Sequence, residues 1–359
     1  MRRFLRFLAL GFGALLVVVL LLLSPAAYVE TFCHGEPVAQ NYTPLITDPA
    51  QRRAEANTYL TYPEWHIVYA YDGMAEVLKN GDEHQFGYFE SVKGFWQTNC
   101  AVIRIADAHG GADTDTRMTI ATIGVSFTLE MGLKAAYEET FGRLTAWWRG
   151  PAKTPQDIVA RDMAVDYAAF LRQVPWYKYP FQKALDKLDA APRDGGLRSW
   201  ERRFALGAEW KAKIAYSKAI ASAVNATTGQ AQLSIVSLVS GIDVSRLGAI
   251  ADVRIIAEKN GRVLIETPRY DRFTHILAEI ASAGGTIEEI AGNDDIMITL
   301  TVTGQSVPVP LNGDQIIARL PRTGFAGERV LLSVKVRDLA DILRSVPIAD
   351  PGIEHVFDY

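Results

Sequence analysis

The chain has 359 residues, 49% of them hydrophobic, and a formal net charge of −4. That near balance excludes a global electrostatic pull toward nucleic acid, and no long basic tract offsets it locally. The length supports two domains, each with its own core, beyond any membrane segment.

Residues 7–23 form an uninterrupted apolar run directly behind Arg2, Arg3 and Arg6. A basic head before such a run keeps residues 1–6 in the cytoplasm whether or not the segment is cut. The run exceeds the roughly 7 to 15 residues of a signal-peptide core. As a helix it spans roughly 26 Å, close to the hydrocarbon thickness of a bilayer. Ser24-Pro25-Ala26-Ala27 resembles a cleavage site, so residues 1–27 are read as an N-terminal membrane anchor, with a cleaved signal as the alternative. The expected location is a membrane, of the bacterial inner-membrane type, and the expected partner is the lipid bilayer. Two topologies are open: a single pass with the bulk outside, or two passes with a cytoplasmic C-terminus.

The second topology comes from charge. Residues 24–116 carry five basic and thirteen acidic residues, a net of −8; residues 134–218 carry sixteen and ten, a net of +6. Between them lies 118–133, MTIATIGVSFTLEMGL. A second transmembrane span there would place the acidic block outside and return the basic block to the cytoplasm. Against it stand four hydroxyl residues and Glu130, whose burial in lipid costs on the order of 3 kcal/mol at a helix centre. Cys33 and Cys100 both fall in the acidic block. In an oxidising compartment they can pair, and the closed loop would contribute about 4 kcal/mol.

Residues 28–228 read as a helical domain. Thr61-Tyr62-Pro63-Glu64 has the form of a capping box, and Ile67, Ala70, Tyr71, Met74 and Leu78 recur behind it at helical spacing. Further helices are expected near 87–106, 116–148, 155–173, 178–190 and 199–225. Thr154-Pro155 and Ser199 mark starts, and Arg149-Gly150-Pro151 marks a stop. From 229 to 359 the period shortens and an α+β domain is expected. Strands near 253–265, 286–290, 296–302, 328–336 and 353–357 alternate with helices over 270–283 and 338–346. Asn260-Gly261 and Asn312-Gly313 mark turns, and Gly292-Asn293-Asp294 joins two strands. With one strand of each hairpin set aside, the order approximates a ferredoxin-like split β-α-β pattern. The fold class is therefore α+β, with an N-terminal transmembrane helix and a mostly helical region before it.

No phosphate-binding, dinucleotide-binding or nucleophile-elbow motif occurs. Four of the six histidines, His34, His66, His84 and His109, share the acidic block, which makes them candidate metal ligands outside the membrane. Their spacing matches no metal motif, and no cofactor is expected. Glu64 and His66 are candidate acid-base residues, although two residues apart on a helix they do not face each other. Glu130 is the third candidate: inside a span, a carboxylate would serve proton or cation handling. Trp147-Trp148-Arg149 and residues 176–181 mix aromatic and basic side chains suited to lipid headgroups or to a core.

These observations favour a non-catalytic interaction or regulatory component at the membrane, in contact with lipid and with another membrane protein. Two alternatives remain: an extracytoplasmic metal-dependent enzyme using histidine and glutamate residues of 24–116, and a transport component using Glu130.

Overall fold

A computed structural model describes residues 2–39, 41–227, 233–309 and 315–359. The Asn312-Gly313 turn and the expected domain boundary at 228–229 lie outside the described residues. The described chain is mixed helix and sheet: twelve α-helices and eight strands in two antiparallel sheets. The α+β class expected from sequence is what the chain forms.

Helix α1, Arg2–Phe32, continues through Pro25. Its segment Leu10–Phe32 is, among the described residues, the one helix long and apolar enough to cross a membrane. Only its C-terminal end joins the rest of the protein: Val29 and the following Cys33 are buried in the helical core. Cys33 is bonded to Cys100 there, as the sequence pairing expected.

The bundle begins with α2, Asn57–Leu60, and α3, Tyr62–Asn80. The expected capping box at Thr61 is absent. Thr61 has helical φ and ψ, because α2 runs almost directly into α3, and its hydroxyl donates to the Thr58 carbonyl at 3.0 Å. Helix α4, Tyr88–Ala108, and α5, Thr114–Tyr137, form a hairpin. A π-turn over Glu138–Gly142 carries α5 into α6, Arg143–Arg149. Gly150 ends that run with φ +77°, a left-handed conformation that a side chain would strain. Helix α7, Pro155–Leu171, starts on the expected signal: the Asp157 amide donates to the Thr154 hydroxyl at 3.2 Å, and the Asp157 carboxylate accepts from the Thr154 amide. Helix α8 spans Phe181–Ala190 and α9 spans Leu197–Thr227. Ser199 is not a cap: it lies inside α9, where its buried hydroxyl donates to Gln156 Oε1 at 2.5 Å.

The expected second span, 118–133, lies within α5. Gly124, Phe127 and Met131 point into the bundle and are buried. The charge reversal that suggested a second crossing has another origin: the acidic and basic blocks pair with each other. Asp72 meets Arg172 at 2.5 Å, Asp82 meets Arg149 at 2.9 Å, and Glu83 meets Arg198 at 2.8 Å and Arg202 at 3.1 Å.

The C-terminal region contains β1, Ser234–Ser240, a single turn α10, Val244–Leu247, β2, Arg254–Lys259, β3, Arg262–Pro268, α11, Asp271–Ser282, and β4, Thr286–Ile290. It continues with β5, Asp295–Val302, β6, Gln315–Pro321, β7, Glu328–Lys335, α12, Val336–Ser345, and β8, Gly352–Val356. Strand order is β2-β3-β1-β4 in the first sheet and β6-β7-β5-β8 in the second. Asn260-Gly261 turns with both φ positive, as its type I′ signature requires. Gly292-Asn293-Asp294 is a crossover between sheets, not a hairpin. The single split β-α-β sheet read from sequence is therefore two sheets, because the strands set aside as extra are integral to each.

The inner faces of both sheets and helices α11 and α12 enclose one apolar core. The outer face of the second sheet belongs to the other core: Met297, Leu320, Leu331 and Phe357 pack with the helices of the bundle. The helical and α+β regions thus share a hydrophobic interior.

Candidate functional site

His66, on α3, is fully enclosed by rings: it stands edge-on to Phe95 and Phe127, and Tyr62 lies 6.0 Å from it. Its Nε2 donates to the Ser91 carbonyl at 2.9 Å, while Nδ1 is buried without a partner. Burial pushes its pKa down to about 3, which leaves a neutral core histidine. Glu64, two residues earlier, is exposed. The structure does not bring the pair together for acid-base chemistry.

The four candidate metal histidines are dispersed. His34 is exposed, 3.8 Å from Asp107. His84 is half-buried, and burial lowers its pKa. Only His109 joins a group of ligand-type atoms among the described residues, with Glu55 and Asp295. His109 Nδ1 is 3.3 Å from Glu55, whose hydrogen bond raises the imidazole pKa. Asp295 is already engaged by Lys335 Nζ at 2.7 Å. Asp295 could not be linked to this group from sequence, because more than 180 positions separate it from His109.

Glu130 has two named partners. It accepts from the Tyr71 hydroxyl and lies 2.8 Å from Lys213 Nζ. Lys213 in turn donates to Tyr71 at 2.9 Å and lies 5.0 to 5.6 Å from the ring centres of Tyr71, Tyr167 and Phe181. Burial opposes ionisation of Glu130, but Lys213 and then Lys134 overcome it and hold its carboxyl down to about 2. The arrangement ties α3, α5 and α9 together through one carboxylate.

A second, buried ionic cluster joins residues too far apart in the chain for spacing to pair them. Arg198 meets Asp157 and Glu83 at 2.8 Å and Glu201 at 3.1 Å, and Arg202 meets Glu138 at 3.0 Å. Asp82, Glu83 and Asp157 converge as metal ligands would, but arginine guanidinium groups already serve them.

One surface feature stands apart. In the run at 176–181, Tyr179 and Phe181 are buried, Trp176 and Tyr177 are half-buried, and Trp176 packs on Tyr216. By contrast Trp147 is 75% exposed, Trp148 70%, Trp200 66% and Phe204 62%. Phe141 and Leu144 are also exposed. The two groups lie side by side, because Thr145 of α6 donates to Glu201 of α9 at 2.9 Å and Tyr137 donates to it at 2.7 Å. Trp200 and Phe204, one turn apart, stack nearly parallel. Exposed apolar side chains grouped in this way are the kind of surface that marks protein or membrane contact. The spacing of Leu197, Trp200 and Phe204 was the missed signal: a second apolar stripe on a helix whose opposite stripe already faces the core.

No protein family, curated protein or solved structure matches this chain.

Proposed function

We propose that this protein is a membrane-anchored, non-catalytic interaction component whose helical bundle rests on the bilayer through the aromatic ledge of Phe141, Leu144, Trp147, Trp148, Trp200 and Phe204. One observation carries the reading: a bundle with this uncovered ledge is continuous with α1, whose end is locked into it by Val29 and the Cys33–Cys100 bond. Tryptophan rings favour the headgroup zone, where an apolar body and a polar N–H are both accommodated. The disulfide supports an oxidising compartment for the bundle, hence one crossing with the bulk outside an inner-membrane-type bilayer. We read the C-terminal region as two ferredoxin-like halves, each with a shortened or missing first helix, serving as the interaction module.

The test is tryptophan fluorescence of the full chain in nanodiscs. Brominated lipid should quench a large fraction of the emission, and replacing Trp147, Trp148 and Trp200 by Phe should remove that fraction while buried Trp65, Trp96 and Trp210 remain silent. Equal quenching by aqueous iodide, with none from lipid, rejects the reading.

A second reading has one observation in its favour, the convergence of Glu55, His109 and Asp295. A metal-dependent activity there requires purified protein to retain a stoichiometric transition metal that His109→Ala removes.

A further inference from the structure

The two halves of the α+β region repeat one another in register. In each, the first strand pairs with the third and fourth, and the second pairs only with the third. The pairing of β1 with β4 slips between Leu238 and Val239; that of β5 with β8 slips at the corresponding Thr299 and Leu300. The pairing of β2 with β3 slips between Ile255 and Ala257, and that of β6 with β7 between Ile316 and Ala318, both within an Ile-Ile-Ala sequence. The first pair of registers equates Ser237 with Ile298 and Ile265 with Leu332, so Arg262 corresponds to Arg329 and Glu266 to Ser333. The other equates Glu289 with His355 and Glu288 with Glu354. Side chains agree independently: Arg262 pairs with Glu288 at 2.6 Å, as Arg329 pairs with Glu354 at 2.7 Å.

What covers the two outer faces differs. On the second sheet the Tyr59 hydroxyl meets Ser333 at 2.7 Å, the Trp65 ring lies on His355 at 3.7 Å, and the Arg329 guanidinium lies 3.7 Å from the centre of the Tyr69 ring. On the first sheet, Ala50, Gln51 and Arg53 reach the rim of the β2–β3 side, and residues 42–47 cross the β1–β4 side. There Glu289, in the place of His355, accepts from the Tyr42 hydroxyl and from the Ile46 amide at 2.7 Å. Among the described residues, no helix covers the β2–β3 side. The Arg262 side chain is 47% exposed where that of Arg329 is 5% exposed, and a cleft of about 280 Å³ lies between Arg53, Val236, Arg254, Ile256 and Glu266.

We propose that this half-face binds an amphipathic helix of a partner protein bearing aromatic side chains, one ring lying flat on Arg262 and a tyrosine hydroxyl donating to Glu266. The occupied sheet supplies the template for both contacts, with α2 and α3 as the occupant. The charges agree with it. An arginine held planar by a carboxylate offers a stacking surface for a ring. Glu266 already accepts from the Ser234 hydroxyl and pairs with Arg254, and as a carboxylate it keeps further acceptor positions that the serine in the corresponding place lacks.

The probe is a fluorescent peptide copying residues 57–80, titrated against the full chain in nanodiscs. Saturable micromolar binding is expected, weakened at least tenfold by Arg262→Ala in the protein and by the change of Tyr69 to Ala in the peptide. Arg337→Ala, on exposed α12, should leave it unchanged. A photo-crosslinking residue at exposed position 257, opposite Leu264 in the sheet, gives a readout that removes no core group and no partner of Glu266, and an adduct to the peptide is expected. Absence of the adduct, binding indifferent to Arg262→Ala in a folded variant, or displacement of the peptide by a second copy of this chain each overturns the proposal.

Discussion

The Glu130 carboxylate illustrates how a residue that attracts attention in sequence is explained by its neighbours. Its pKa in the folded chain lies below the ordinary carboxylate value of 4.5, at about 2. A depressed folded pKa contributes stability that is present above the unfolded value and is lost as pH falls through the folded one. Glu130→Gln should therefore lower stability at pH 7 by about 1 kcal/mol, a figure reduced for its partial exposure. The gap from the wild type should close between about pH 4.5 and pH 2 in denaturant titrations. A transport role predicts the opposite, an intact fold with lost activity. Arg198 was invisible as a site residue in sequence, yet it is nearly inaccessible and touches Asp157, Glu83 and Glu201. Arg198→Met should cost about 3–5 kcal/mol, since it leaves carboxylates buried without their cation; thermal unfolding measures it. Spacing reveals which residues share a helix face. It does not reveal which of many like charges will meet across 115 positions.

Helices were legible where local chemistry ends them. Thr154-Pro155 and Arg149-Gly150 act on their own backbone within a few residues, so their pattern suffices. Thr61 and Ser199 carry the same residue types, but tertiary packing continues the helix through each of them. The junction between the apolar helix α1 and the bundle depends on a long-range bond instead. Cys33 and Cys100, 67 residues apart, fasten α1 to α4, and loss of that closure should cost about 4 kcal/mol. Cys33→Ser, or reduction of the wild type, should lower the Tm of the full chain by several degrees. The double change Cys33→Ser with Cys100→Ser should show no further response to reductant. A reductant effect that persists in the double variant contradicts this assignment.

At the scale of the whole molecule, the regions that the sequence marks by composition and charge meet through complementary surfaces. The acidic block and the basic block are paired faces of one bundle. The second sheet completes that bundle's core with Met297, Leu320, Leu331 and Phe357. Strand alternation identifies two-sided burial in β5 and β7, but only the assembled fold shows that the second side belongs to helices more than 200 residues earlier. Burying each of those four side chains is worth about 1.5–3 kcal/mol, so together they amount to on the order of 10 kcal/mol. A whole domain has only about 5–15 kcal/mol of stability. Residues 233–359 expressed alone should therefore bind a hydrophobic dye and aggregate, whereas the full chain in nanodiscs should unfold in one cooperative transition seen equally by tryptophan emission and by circular dichroism. A fragment that folds as a monomer with the stability of the intact chain would show that the shared core is not what holds the α+β region together.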